Sequence, residues 1–311
     1  MLRIEARRRL VFCRTRAVLL LVALFLSNAA PAETLRVATY NLYNYLSMDR
    51  SVDGKWRKDY PKPESEKSAV RRAIVEVRPD VLAIQEIGDL KYLNELRNDL
   101  RRDGLDYIHI THLQNPESDR CLAILSRLPF YQTKQHQDLD FKYFEGRHSV
   151  RRGMLEVEIR PIPGLRIQIF NLHLKSRWTV RDDDPEAALQ RTREAEACRN
   201  RIIDRTINES RPHYLILGDF NDNPDSSPLR RFKKRGNLII AERLIAADSR
   251  GEFWTHFYRR QSSYSTVDGI LVSPPMMPAV KVGRIADTLS PPQGSDHRLV
   301  YADFDFSKLS N

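Results

Sequence analysis

The sequence predicts a single α/β domain built from two similar halves, and three observations lead to this fold class. In each half an apolar strand, at 35–45 and again at 165–176, runs into an Asn-Leu pair. Each strand is followed by a helix pattern and then by a second apolar strand that begins after Arg-Pro. Each second strand ends in a carboxylate, Glu86 or Asp219. One supersecondary unit used twice would bring the polar ends of both halves to one edge of the molecule.

The elements of the first half follow in order. A polar loop leads to a helix over about 64–78, whose apolar residues recur at helical spacing. It stops before Pro79 because a proline disfavours helical backbone in the preceding residue. A second helix is predicted over roughly 89–102, and further strands at 107–111, 121–126 and 153–159.

The second half repeats the plan with a longer helix over about 185–208. Asp184 is its predicted N-cap, and Pro185 suits the first turn, where a missing N–H costs nothing. Further strands are predicted at 265–273 and 299–304. The stretches near 223–228 and 273–294 are rich in Pro, Ser and Gly and are predicted to be loops.

The first 32 residues have the pattern of a secretory signal peptide. An arginine-rich segment precedes an apolar run at 17–26, and Ala30-Pro31-Ala32 resembles a cleavage site. The run is short for a membrane span, although an uncleaved N-terminal anchor is the alternative. Residues 33–311 then form one domain in a secreted or periplasmic protein, with no stable membrane association after cleavage and a monomeric state expected.

Removal of this segment changes the charge and cysteine arguments. The whole chain carries a formal charge of +10, and residues 1–32 hold six arginines and one glutamate. The remaining basicity is modest and is compatible with a polyanionic substrate. Only Cys121 and Cys198 remain outside the segment. They could pair in an oxidising compartment or lie apart as two buried thiols.

Eight polar residues at predicted strand ends are the candidates for chemistry. Carboxylates with a carboxamide favour a hard cation such as Mg²⁺ or Mn²⁺. Zinc has little support, because the chain has no cysteine cluster and no His-x-x-x-His pair. An oxygen-rich site with two histidines suits hydrolysis of a phosphate ester. The eight residues are Asn41, Glu86, His173, Asp219, Asn221, Asp268, Asp296 and His297.

Six segments in order carry a resemblance to a known family. ATYNLYNY, DVLAIQE, FNLHLKS, LGDFND, TVDGILVS and GSDHRLV resemble the endonuclease/exonuclease/phosphatase superfamily over residues 35–304. The resemblance implies a four-layer α/β sandwich, with two central β-sheets flanked by helices and an internal pseudo-twofold repeat. This implied fold agrees with the repeat seen in the sequence.

The resemblance also implies roles for the polar residues. Glu86 would be the main metal ligand with help from Asn41, and Asp296 would lie near the metal. Asp219 would orient or deprotonate the attacking water, and Asn221 would hold the scissile phosphate.

Three further residues complete the implied site. His173 would bind or protonate a phosphoryl oxygen. Asp268 would fix the tautomer of His297, which would stabilise the developing charge or donate a proton to it.

Two groups of residues outside this set are candidates for substrate binding. Arg152 immediately precedes a strand and is a candidate phosphate clamp, and Lys175 follows the His173 strand. The cations and aromatics of 55–60, and Trp178 farther on, are typical of a surface that binds a nucleic-acid strand. A solvated charged loop is the alternative for the basic segment that contains Arg152.

The substrate expected from the resemblance is nucleic acid. His173 stands where exonuclease III and abasic-site endonucleases have a tyrosine, which favours the deoxyribonuclease and sphingomyelinase branches. We therefore expect an exported, Mg²⁺- or Mn²⁺-dependent phosphodiesterase that acts as a fairly unspecific endonuclease. Hydrolysis of a lipid headgroup or another small phosphodiester is the second hypothesis. A non-catalytic binding relative is the third.

Overall fold

A computed structural model of the protein describes residues 34–116, 118–287 and 293–309. The predicted signal peptide, residues 1–32, lies outside the described residues. Residues Glu33–Asn311 are assigned to one compact unit. In the described ranges, no helix has the length and apolar character needed to cross a membrane.

The described residues form four α-helices and twenty strands. The helices are α1 (Glu64–Val77), α2 (Leu90–Arg102), α3 (Ala188–Arg205) and α4 (Ser227–Lys233). The strands are β1 (Thr34–Tyr45), β2 (Met48–Val52), β3 (Lys55–Tyr60), β4 (Val81–Ile87), β5 (His109–Leu113), β6 (Cys121–Ser126), β7 (Gln132–His136), β8 (Asp140–Tyr143), β9 (Gly146–Ser149), β10 (Met154–Ile159), β11 (Ile167–His173), β12 (Tyr214–Asp219), β13 (Lys234–Arg235), β14 (Leu238–Ile239), β15 (Glu242–Arg243), β16 (His256–Tyr258), β17 (Ser263–Ser265), β18 (Asp268–Val272), β19 (Val280–Ile285) and β20 (Val300–Asp305).

Two six-stranded sheets organise these strands. The first has the order β19-β20-β1-β4-β6-β5 and the second the order β15-β18-β12-β11-β10-β7. In each sheet one parallel pair, β1 with β4 or β11 with β12, is flanked by antiparallel strands. A helix connects the two strands of each parallel pair, as a parallel crossover requires. The sheets therefore share one plan, and the predicted internal repeat is confirmed.

The apolar residues pack in three clusters that define four layers. The central cluster lies between the sheets and joins side chains such as Val37 and Ile124 to Ile169 and Leu217. A second cluster packs α1 and α2 on the outer face of the first sheet. A third packs α3 and α4 on the outer face of the second. The order helix–sheet–sheet–helix confirms the predicted four-layer α/β sandwich.

Two strands exchange sheets relative to the sequence-based expectation. The strand predicted at 153–159 was grouped with the first half, but β10 pairs antiparallel with β11 in the second sheet. The strand predicted at 299–304 was grouped with the second half, but β20 pairs with β1. The short connection at 160–166 favours an antiparallel neighbour for β10. Each sheet thus takes two strands from the other half of the chain: β7 and β10 join the second sheet, and β19 and β20 join the first.

Three predicted loops contain regular structure. Residues 48–60 form the β2–β3 hairpin, whose turn residues Asp53 and Gly54 both have positive φ (51° and 74°). An Asp-Gly pair favours this turn. The loop predicted near 273–294 contains β19, and α4 begins inside the one predicted near 223–228.

Helix α3 begins three residues later than predicted. Glu186 and Ala187 have φ of 60° and 50°, so Pro185 lies in a separate 3₁₀ turn. Ala187, not Asp184 as predicted, is the N-cap residue, but the Asp184 carboxylate still accepts hydrogen bonds from the N–H groups of Leu189 (2.8 Å) and Gln190 (3.0 Å) in the first turn. The carboxylate also accepts a hydrogen bond from the Tyr143 hydroxyl.

Cys121 and Cys198 are both buried and both free. The disulfide alternative is therefore not realised in the structure, and the two thiols pack separately. Burial raises the pKa of Cys121 to about 12, so its unreactive thiol form dominates at neutral pH.

Candidate active site

The structure brings the eight predicted polar residues to one edge, where strands of both sheets end. Asn41 and Glu86 come from β1 and β4 of the first sheet. His173, Asp219 and Asp268 come from β11, β12 and β18 of the second sheet. The remaining three lie in the loops that follow β12 or precede β20: Asn221, Asp296 and His297.

Asp219 is the centre of this arrangement. Its Oδ2 accepts a hydrogen bond from Asn41 Nδ2 at 3.0 Å, and its Oδ1 accepts one from the N–H of Asn221 at 2.8 Å. The Nε2 atoms of His173 and His297 lie 3.4 and 3.9 Å from Oδ2. Residues from both sheets therefore meet around one carboxylate.

The environment of Asp219 disfavours its charged form. Burial and the nearby charge of Asp268 raise its pKa to about 6, against the opposing effects of His297 and of two hydrogen bonds. A carboxyl group with this pKa is suited to accept a proton near neutral pH.

Asp268 and His297 form a buried dyad. His297 Nδ1 lies 2.8 Å from Asp268 Oδ2, a bond that orients the ring and leaves Nε2 facing the site. Burial opposes the charged imidazole, but Asp268 and Asp219 raise the pKa of His297 well above its ordinary value. The other Asp268 oxygen is buried without a hydrogen-bond partner among the described residues.

Gly218 allows β12, which carries Asp219, to pass close to the neighbouring strand β11. Its φ is 142°, and a Cβ there would lie 1.9 Å from the carbonyl oxygen of Leu172 on the neighbouring strand. The close approach that requires a glycine here is made by the adjacent strand.

Glu86 lies at an irregularity in its strand. The β1–β4 pairing shifts register between Asn41 and Tyr45, and Glu86 has a φ of 60°. The N–H of Asn44 donates to Glu86 Oε2 at 2.9 Å. A β-bulge of this kind re-aims a side chain, and Oε1 lies 4.0 Å from His173 Nε2.

His173 is buried and favours the neutral form. Burial lowers its pKa well below the ordinary value, and the charges of Arg152 and His297 act in the same direction. Its Nδ1 has no hydrogen-bond partner among the described residues. A neutral imidazole can still donate one hydrogen bond toward a phosphoryl oxygen.

The two predicted substrate-binding cations occupy different positions. Arg152 is buried, donates to the carbonyl of Leu174 at 3.1 Å, and keeps a buried Nε without a partner in the described part of the chain. Lys175 donates to the carbonyls of Ser176 and Trp178, so its ammonium holds the loop after β11. Burial and Arg152 lower the pKa of Lys175 to about 8.

Two residues at the site were missed by the sequence analysis. Arg120 Nε lies 3.7 Å from Glu86 Oε2 and donates to Asn44 Oδ1 at 2.7 Å. His256 on β16 lies with its ring centroid 4.6 Å from that of His297. Arg120 immediately precedes β6, a position that could have been recognised. No motif links His256 to the later Asp-His pair.

Comparison with known proteins identifies the family of the chain. The family model described as the Endonuclease/Exonuclease/phosphatase family matches residues 38–297. A comparison with curated proteins finds no match.

Three similar solved structures illustrate the fold. The human Nocturnin catalytic domain with bound sulfate is 18% identical, with a TM-score of 0.62 and coverage of 88% of this chain and 94% of that one. Truncated TDP2 from Caenorhabditis elegans is 17% identical, with a TM-score of 0.58 and coverage of 88% of this chain and 97% of that one. An endonuclease/exonuclease/phosphatase from Bacteroides vulgatus is 16% identical, with a TM-score of 0.60 and coverage of 87% of this chain and 98% of that one. The family match spans most of the sequence, from the first strand to the final histidine of the site, and the chain belongs to the Endonuclease/Exonuclease/phosphatase family of phosphoester hydrolases.

Proposed function

We propose that this protein is an exported, divalent-metal-dependent phosphodiesterase that cleaves nucleic acid as a fairly unspecific endonuclease. One observation carries the hydrolytic part: a buried carboxylate, Asp219, is surrounded by hydrogen-bond donors from both sheets. A water held by Asp219 would face a phosphate bound by those donors.

Three side chains have separate roles in the proposed hydrolysis. Asp219 would orient the water and accept its proton, as its raised pKa permits. Asn221 has its Nδ2 bonded to the Leu174 carbonyl at 2.9 Å, which fixes the loop that carries it. His297, held by Asp268, would donate a hydrogen bond or a proton to the charge that develops on the phosphate.

The donor set fits a hard divalent cation, and members of the family are generally metal-dependent. Glu86 and Asn41 supply oxygen atoms at the edge of the first sheet, and Asp296 Oδ1 is buried without a partner among the described residues. We propose that these three residues hold Mg²⁺ or Mn²⁺. A bound cation would neutralise charge on the non-bridging phosphate oxygens.

Exposed aromatic and basic side chains support nucleic acid as the substrate. Trp56 on β3 is 67% exposed and Trp178 after β11 is 72% exposed. Rings that face solvent beside cations can stack on bases, while the cations contact phosphates. The Lys175 ammonium, bonded to two carbonyls, holds the loop that presents Trp178. Arg152 remains a proposed phosphate contact.

The experiment that tests the function compares three substrates with the purified protein and Mg²⁺. These are supercoiled plasmid, bis-p-nitrophenyl phosphate and sphingomyelin, and Asp219→Asn purified identically is the control. Nicking of the plasmid by wild type alone supports the proposal. Turnover of only a small or lipid diester would keep the site but reject nucleic acid. Inactivity on all three would favour a binding protein.

Export is proposed from the N-terminal pattern and has its own test. We expect the protein to appear outside the cytoplasm with Glu33 at its N-terminus, as measured by mass spectrometry of the N-terminal peptide. A full-length chain recovered with the membrane would instead support an anchor.

A further inference from the structure

We propose that the β16–β17 hairpin binds an unpaired nucleic-acid strand, with Tyr258 stacking on a base beside the scissile phosphate. The inference rests on the proposed function and makes it more specific, because it predicts that single strands are bound in preference to duplexes. The hairpin joins two three-residue strands, and every residue from 258 to 264 is exposed.

Backbone contacts attach this hairpin to the candidate active site. His256, the first residue of β16, forms an antiparallel bridge with His297. The N–H of Phe257 donates to the carbonyl of Asp296 at 2.9 Å. The hairpin therefore begins at the site, and a strand that leaves the site on this side meets the residues that follow His256.

Tyr258 lies on the same face of the hairpin as His256. Side chains alternate between the two faces of a strand, so residues two apart point the same way and stand about 7 Å apart along it. The Tyr258 ring is 40% exposed. Within the described part of the chain it has neither a hydrogen bond nor a ring contact. An exposed ring on the face that begins at the site can stack on a base of the bound strand.

The opposite face of the hairpin is held in place by three aromatic rings. Phe257 and Tyr264 are directly opposite in the strand register, and their ring centroids lie 4.7 Å apart. The Trp254 ring packs against Tyr264 at 4.9 Å, and the Arg298 guanidinium lies 4.3 Å from the centroid of Trp254. Arg298 follows His297 directly, so these contacts tie the hairpin to the site. A surface that is ordered before binding loses little conformational entropy when a ligand arrives.

Two cations at the turn of the hairpin complete the surface. Arg259 and Arg260 follow Tyr258 in a short 3₁₀ turn, and both are exposed. Cations contact the phosphates of a single strand while aromatic rings stack on its bases. In a duplex the bases are already paired and stacked on one another, whereas unpaired bases can turn outward onto a ring. The combination of a ring and cations therefore favours an unpaired strand.

The test is fluorescence anisotropy with a labelled thymidine oligonucleotide and a labelled duplex that has the same number of phosphates. Binding is measured with Mg²⁺ in the Asp219→Asn protein, so that hydrolysis does not interfere. Tyr258→Ala should weaken binding of the single strand roughly 10-fold and that of the duplex less than about twofold. Tyr258→Phe keeps the ring and should retain the affinity. Arg260→Gln should weaken binding of both and lower its salt dependence. Ser263→Ala, directly opposite Tyr258 in the hairpin, is the matched control and should change neither affinity.

Three results would overturn the inference. The first is an unchanged affinity for the single strand in Tyr258→Ala, and the second is an equal loss for the single strand and the duplex. The third is a loss in Tyr258→Phe as large as that in Tyr258→Ala, which would assign the contact to the hydroxyl group and not to the ring.

The binding readout separates this inference from the proposed function. Wild-type protein that hydrolyses no nucleic acid, together with a single-strand affinity that depends on Tyr258, would reject the proposed function alone. Hydrolysis of nucleic acid by the wild type, together with normal binding by Tyr258→Ala, would reject this inference alone. Near-ultraviolet circular dichroism checks that each variant is folded.

Discussion

Glu86 and Asp219 end the second strand of each half of the repeat, yet the backbone presents them differently. Asp219 is in register with both neighbouring strands, opposite His173 and Asp268. Glu86 falls in a register shift with a φ of 60°. The side chain of Asp219 is 1% exposed and that of Glu86 is 14% exposed. The repeat thus supplies one deeply buried carboxylate, for which we propose proton transfer, and one more open carboxylate, for which we propose cation binding.

The two asparagines of the repeat differ in a similar way. Asn41 donates to Asp219 within the site. Asn171 lies between the sheets, where it donates to the carbonyls of Ile84 and Ala123 at 3.0 Å each and accepts a bond from Gln85 at 2.7 Å. Equivalent positions in the repeat therefore bond to a carboxylate of the candidate site in one half and link the two sheets in the other.

The largest expected effect is on turnover, from Asp219→Asn. We expect hydrolysis to fall by roughly a thousandfold or more, because the variant keeps the shape of the side chain but cannot accept the proton from water. Initial rates of plasmid nicking measure the loss. Asp225→Asn, in which a 98% exposed side chain is changed, should retain the wild-type rate. Similar rates for both variants would contradict the role of Asp219.

Glu86→Gln should also reduce hydrolysis strongly, but for a different reason. The variant loses a charged ligand and should bind Mn²⁺ more weakly, which isothermal titration calorimetry would detect. A large excess of Mn²⁺ should then restore part of the activity of Glu86→Gln and none of that of Asp219→Asn. Glu145→Gln, on an exposed loop, is the control. Rescue of both variants, or of neither, would remove the proposed distinction between the two carboxylates.

The fold and the candidate site could be predicted from the sequence because the patterns that indicate them are local. Apolar strands, the helix that stops before Pro79 and the polar strand ends are all visible in short windows of sequence. The bulge at Glu86 and the approach of His256 to His297 depend on pairing between distant strands. For the same reason β10 and β20 were assigned to the wrong halves, since strand order is set by tertiary packing.

The asparagine comparison predicts an effect on stability. Asn171→Leu removes three hydrogen bonds between buried groups of the two sheets, and we expect the free energy of unfolding to fall by about 3 kcal/mol. Urea denaturation measures this change. Asn41→Leu should instead lower turnover more than stability, because its bonded partner, Asp219, belongs to the site. An equal loss of stability in both variants would contradict the division of roles.

Asp268→Asn should shift the pH dependence of kcat/KM. The negative charge of Asp268 raises the pKa of Asp219 and that of His297, so removing the charge should lower both values. In the proposed mechanism, activity needs Asp219 ionised and His297 protonated. The acid limb, which belongs to Asp219, and the alkaline limb, which belongs to His297, should therefore both move to lower pH. A profile of reduced height with unchanged limbs would mean that Asp268 acts only through ring orientation.

The smallest expected effect concerns the exposed ring of Trp178. Trp178→Ala should weaken binding of single-stranded DNA by roughly 5-fold, since stacking on one base contributes about 1 kcal/mol or more. Fluorescence anisotropy of a labelled oligonucleotide measures the change, and Val180→Ala, at an 81% exposed residue in the same loop, is the control. The salt dependence of binding should stay the same in both variants, because no phosphate contact is removed. An altered salt dependence in Trp178→Ala would indicate that the ring orders the neighbouring Lys175 and Arg177 rather than contacting a base. Binding of nucleic acid at this loop would then depend on charge and not on stacking.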